Sequence, residues 1–123
     1  METIKFTQCP CVGVTLDKMI QPAILAVLAE GPLHGYKLAR RISEIPDFVT
    51  EPPDVSGIYR FLKTLESRGL VVSDWDTSGT GHAKKLYKIT PDGKKCLKNW
   101  RQTLKNYRKT IESLLKTIEK AIP

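Results

Sequence analysis

The chain has 123 residues, 41% of them hydrophobic and 27% charged, a balance that argues for one globular domain and against a disordered chain. Lys and Arg number 20 against 13 Asp and Glu, a net charge of +7, which favours polyanionic partners such as nucleic acid or an anionic membrane surface. The longest apolar run, 23–29, is far too short to cross a bilayer. The opening Met-Glu-Thr-Ile-Lys-Phe-Thr-Gln has no basic segment leading into an apolar one, which argues against export. Three cysteines, two of them nearly adjacent, do not form a disulfide framework. A soluble cytoplasmic protein is expected. The charge is uneven: residues 1–90 carry 11 basic and 10 acidic side chains, whereas 91–123 carry 9 and 3. Specific recognition by the earlier part therefore rests on few, well-placed cations.

Residues 1–18 show no sustained period and read as an N-terminal arm. Met19, Ile20, Ala23, Ile24, Val27 and Leu28 then recur at helical spacing until Gly31 and Pro32 stop the run. A short amphipathic helix is predicted over 34–43, from Leu38 and Ile42 with Arg40 and Arg41 between them. His34, in a Pro-Leu-His-Gly turn, would cap or pack at its start. Pro46, Pro52 and Pro53 exclude a long helix in the connection that follows. A third helix begins with Asp54 as N-cap, places Val55, Ile58, Leu62 and Leu65 on one face, and ends at Gly69 with Leu70 behind it. Its opposite face holds Ser56, Tyr59, Arg60 and Lys63.

Two extended runs, 70–75 and 84–89, are rich in β-branched and aromatic residues and flank a polar, glycine-containing tip at 76–83, the pattern of a β-hairpin. Thr90 and Pro91 then read as the N-cap and first position of a closing helix. There Leu97, Leu104, Ile111 and Ile118 occupy one heptad position and Trp100, Tyr107, Leu114 and Ala121 another. A helix over 91–122 spans roughly 48 Å, more than the rest of this chain can cover. Its seam, Leu97, Trp100, Leu104, Tyr107, Ile111, Leu114 and Ile118, is expected to pair with a second copy in a two-fold homodimer; the alternative is a seam folded back on its own domain.

Three helices followed by a hairpin give a mainly α fold, a winged helix-turn-helix over 19–90 with a long C-terminal dimerisation helix over 91–123. In that layout the third helix enters the major groove and the hairpin lies against the phosphate backbone. Arg60 and Lys63 suit base edges or phosphates, and Ser56 sits where a helix start can hold a phosphate oxygen. Tyr59 either contacts phosphate and sugar or packs back against the first helix. His82, Lys84 and Lys85 cluster at the hairpin tip. No phosphate-binding glycine loop, metalloprotease motif or nucleophile elbow occurs, so no enzyme activity is expected.

The runs Ile-Leu-Ala-Val-Leu-Ala-Glu-Gly-Pro-Leu-His-Gly-Tyr-Lys-Leu at 24–38, Gly-Ile-Tyr-Arg-Phe-Leu-Lys-Thr-Leu-Glu-Ser-Arg-Gly-Leu at 57–70 and Tyr-Lys-Ile-Thr-Pro-Asp-Gly at 87–93 are three blocks. In order and spacing they resemble the PadR family of bacterial and archaeal transcription regulators. The single closing helix is similar to that of the family's shorter subgroup. The resemblance implies a homodimer on a partly palindromic operator of double-stranded DNA, usually repressing transcription, with Tyr36 and Lys37 as further backbone contacts. It also implies a small-molecule effector in some members, for which Trp100 is the candidate contact, beside its packing role in the seam. No cofactor is implied. Cys9 and Cys11 fall outside these blocks; with Cys96 they could hold a soft metal or form a redox pair, or be inert thiols. Two alternatives to DNA binding by an effector-released repressor stay open: a winged-helix module for an acidic protein, and a thiol- or metal-sensing regulator.

Overall fold

The computed structural model describes residues 19–48, 55–79 and 81–123. The expected arm over 1–18 and the Asp54 cap lie outside them. Helix α1 (Ile20–Glu30) buries Ile20, Ala23, Ile24, Leu25, Val27 and Leu28, and Pro22 sits in its first turn, where no intrahelical donor is lost. Helix α2 (Gly35–Ser43) contributes Leu38, Ala39 and Ile42, and helix α3 (Val55–Ser67) contributes Ile58, Leu62 and Leu65. Strands β2 (Val71–Asp76) and β3 (Lys84–Ile89) form the expected hairpin, and Val71, Tyr87 and Ile89 close the core from the sheet side.

The sheet has one strand more than the hairpin. Leu33–His34 is a short strand, β1, antiparallel to β3 with Leu33 opposite Tyr87 and His34 opposite Leu86, so the order is β1-β3-β2. Helix α2 accordingly starts at Gly35 rather than at His34. His34 occupies its N-cap position in an extended conformation, but its side chain does not cap the helix. Extended backbone at 33–34 directs the ring across the sheet instead.

Helix α3 ends on Gly69, whose φ of 75° lies in the left-handed region. Gly69 N–H donates to the Glu66 carbonyl and Leu70 N–H to the Leu65 carbonyl, the paired bonds that satisfy the last carbonyls of a helix. Helix α4 (Pro91–Ala121) is built onto this turn. Thr90 Oγ1 accepts from Gly93 N–H at 3.0 Å as its N-cap and donates to the Gly69 carbonyl at 2.7 Å. A Cβ on Gly93 would collide with the Leu70 carbonyl. Cys96 and Leu97 pack against the core, and the helix then runs on beyond it.

Candidate nucleic-acid interface

Because α3 commits Ile58, Leu62 and Leu65 to the core, its helical repeat turns Ser56, Arg60 and Lys63 to solvent. Tyr59 is 42% exposed and leans on its neighbours. Its ring lies against Gly35 so closely that a Cβ there would come within 2.5 Å of it, and it is tilted by 55° against Tyr87 at a centroid distance of 6.4 Å. Its packing is therefore with α2 and β3. Burial, with Tyr59 and Glu66 nearby, pushes the Tyr87 phenol above its ordinary value.

A second group gathers where the wing meets α2. Tyr36, exposed on the first turn of α2, stacks on His34 with rings 6.1 Å apart and nearly parallel, and Lys84 holds its ammonium 5.1 Å from the Tyr36 centroid. His34 Nε2 donates to Asp76 Oδ2 at 3.0 Å. The other oxygen of Asp76 accepts from the Ser78 hydroxyl at 2.6 Å and the Ser78 N–H at 3.0 Å, an Asx turn at the base of the wing. These contacts, the Ser78 hydroxyl first, then the Ser78 N–H and His34, lower the Asp76 carboxyl to about 2. One carboxylate thus shapes the wing's turn and ties it to β1.

Lys37 is exposed one residue beyond Tyr36, and His82 is exposed at the wing tip. Lys85 lies over the Trp75 ring, 5.6 Å from its centroid. Tyr36 and Lys84 are thus in contact, Lys85 follows along the same strand, and Ser56, Arg60 and Lys63 occupy α3. Sequence reasoning did not single out Trp75 or Asp76. The Asp-x-Ser spacing signals the turn at Asp76, whereas the Lys85–Trp75 pair emerges only from strand register. Arg41 is turned away, bonded to Glu30 at 2.5 Å.

Along α4, Leu97 is packed on its own core and Trp100 is partly buried. Leu104, Tyr107, Ile111, Leu114 and Ile118 are all exposed, and so is Leu115 beside them. Trp100 opens onto a groove of about 670 Å³ between α1 and α4, floored by Ala23, Ala26 and Leu97 and rimmed by Lys94, Lys98 and Arg101. Cys9 and Cys11 lie outside the described residues, and Cys96 is a partly buried free thiol. Among the described residues no group of three metal-ligating side chains gathers, and no helix is long and apolar enough to cross a membrane.

Over residues 24–99 the chain matches the family described as transcriptional regulator PadR-like. It is similar to the negative transcriptional regulator PadR of Bacillus subtilis (strain 168), with 32% identity over 84 residues, 68% of this chain and 45% of that one; the chain thus spans less than half the length of this curated relative. Among solved structures, a transcriptional regulator from Thermoplasma acidophilum is 35% identical with a TM-score of 0.72, the match covering 82% of this chain and 94% of that one. The crystal structure of Bacillus subtilis PadR in complex with operator DNA is 31% identical with a TM-score of 0.60, over 68% of this chain and 46% of that one.

Proposed function

This chain belongs to the PadR-like family of transcriptional regulators, and on that premise we propose that it is a sequence-specific DNA-binding homodimer that represses transcription from a partly palindromic operator and is released by a small-molecule or stress signal. The family is one of regulators rather than enzymes. The observation that carries the reading is the exposed polar face of α3, Ser56, Arg60 and Lys63, flanked by the cations of the wing.

In this reading α3 lies in the major groove. Arg60 offers a guanidinium suited to bidentate contact with guanine, Lys63 contacts a base edge or phosphate, and Ser56 and Tyr59 hold the backbone. Tyr36 and Lys37 grip the strand from α2, and His82, Lys84 and Lys85 grip it from the wing. Both partners of the dimer contribute the α4 seam that a single chain leaves exposed, from Leu104 to Ile118. Leu97 and Trp100 stand where that seam meets the domain. The groove beside Trp100, apolar below and cationic at its rim, supports Trp100 as the effector contact.

Selection of bound duplexes from a random pool tests the reading. A two-fold related motif is expected, with log affinity falling against log salt by about 0.9 per neutralised phosphate. Arg60→Ala with Lys63→Ala is expected to abolish operator-specific shifts while leaving the dimer intact. A pool that yields no motif, with binding to an acidic protein instead, would point to a protein-interaction module.

A further inference from the structure

Trp75 is 65% exposed, more than Tyr36, Tyr59 or Tyr107. Such exposure is unusual for a side chain that carries about 150–250 Å² of largely apolar surface. Its position follows from the register. Val71, Ser73 and Trp75 alternate onto one face of β2, and their partners Ile89, Tyr87 and Lys85 share that face. Helix α3 covers this face: Val71 and Ile89 are buried beneath it, Ser73 Oγ donates to Glu66 Oε2 at 2.5 Å, and Tyr87 meets Tyr59. Trp75 and Lys85 are the next pair outward, where the helix no longer covers the sheet. Nothing in the core calls for an indole there.

The surroundings of this pair are cationic. Lys85 stands over the Trp75 ring. On α3, Tyr59, Lys63 and Glu66 fall at i, i+4 and i+7 and so share one stripe. Tyr59 and Glu66 both touch the sheet, so the exposed Lys63 between them borders the same channel. The Glu66 carboxylate on this stripe is bonded to Ser73. Asp74 and Asp76, on either side of Trp75, belong to the opposite face by the pleat of the strand. The channel between α3 and the wing thus presents two aromatic surfaces, Tyr59 and Trp75, and two ammonium groups, Lys63 and Lys85. Alternating flat apolar and cationic groups complement a sugar–phosphate strand, in which C–H faces of deoxyribose alternate with phosphates.

We propose that Trp75, with Lys85 over its ring, is a DNA-backbone contact that seats the wing on the strand beside the groove occupied by α3, the indole packing on deoxyribose and Lys85 pairing with the adjoining phosphate. The inference rests on the DNA-binding reading above and adds to it a residue that supplies affinity without sequence preference. Val72 is also exposed on the wing, but it lies on the other face, with the two aspartates, and has no part in the contact.

The chain has two tryptophans, so Trp100→Phe leaves Trp75 as the sole indole reporter. In the free full-length protein, acrylamide quenching of Trp75 is expected to be strong, and saturation with sheared duplex DNA at low salt is expected to reduce it severalfold. In the otherwise unaltered chain, Trp75→Ala is expected to weaken binding about tenfold, equally for operator and unrelated duplex, with the salt slope nearly unchanged. Trp75→Phe should restore most of the loss. Lys85→Ala should lower the slope by about 0.9, the share of one phosphate. Unchanged quenching at saturation, a Trp75→Ala affinity within twofold of the parent, or a Trp75 already shielded in the free protein by a second copy overturns the proposal and leaves DNA binding standing. A parent chain that ignores duplex DNA altogether overturns both.

Discussion

Two glycines show how much of the architecture turns on single atoms. At Gly93 an added methyl meets the Leu70 carbonyl and the Ile89 side chain, and a backbone oxygen cannot swing aside. Gly93→Ala must therefore shift the start of α4 away from the Gly69–Leu70 turn, and is expected to cost on the order of 2 kcal/mol, read as a lowered urea midpoint with an unchanged m-value. At Gly35 the three atoms nearest the methyl all belong to the Tyr59 phenol ring, 2.5–2.7 Å away. That ring is the free end of a half-exposed side chain and can move. Gly35→Ala is expected to leave the urea midpoint nearly in place while weakening operator binding, because it displaces a side chain of the proposed reading face. Asp76 makes the same point through charge. Its carboxyl lies at about 2 against an ordinary 3.8, so the fold favours the ionised form. That contribution is complete above about 3.8 and is lost as the pH falls through about 2. In Asp76→Asn the amide oxygen can still accept from Ser78 but carries no charge. The stability gap between the parent and this variant is expected to close across that acid window in unfolding experiments.

At the scale of elements, the wing is held by the His34–Asp76 bond and the Lys84–Tyr36 contact, both of which cross from the hairpin to the β1–α2 corner. His34→Ala removes the first of these; the imidazole is largely covered but lies outside the hydrophobic core. Global stability should stay near the parent's, whereas amide exchange at 76–84 should quicken and DNA affinity should fall severalfold; His34→Gln, which keeps a donor, should recover part of both. A wing that exchanges no faster in His34→Ala would show that the hairpin needs no such tie. This corner is also where sequence reasoning reached its limit. Helices α1, α3 and α4 were legible because their periods are local and long, and β2 and β3 because β-branched residues flank a polar tip. A two-residue strand has no period. Leu33–His34 is a strand only because β3, far along the chain, pairs with it, and the helical reading of His34 failed for that reason. The basic and polar residues of the proposed site share an exposed face that type and spacing alone suggest. Their partnerships are not legible in this way: Tyr59 leans on a glycine from another helix, and Lys85 finds Trp75 only across a strand register.

Viewed as a whole, the molecule places opposite demands on salt. The last quarter, 91–123, carries 9 basic and 3 acidic side chains, and all of them lie on α4, which carries the seam proposed to join two copies. Its apolar side chains are exposed in the single chain, Ile111 at 60% and Leu114 at 59%, so burying them favours association at about 25 cal/mol per Å². The like charges beside them oppose it, and added salt screens that repulsion within a Debye length of about 8–10 Å. DNA binding by the other end of the molecule releases counterions and weakens with salt. Sedimentation equilibrium across a salt series should therefore show the dimer tightening over the same range in which operator affinity falls. Leu104→Glu with Ile111→Glu separates the two effects. Both positions are exposed in the single chain, so the variant should keep the stability of its domain. Charge placed in the paired seam should nevertheless yield monomers, and a monomer presents one reading head to a two-fold operator, which lowers affinity steeply by removing the linked second contact. A variant that still sediments as a dimer, or a parent dimer that loosens as salt rises, would place the contact between copies elsewhere than along this helix.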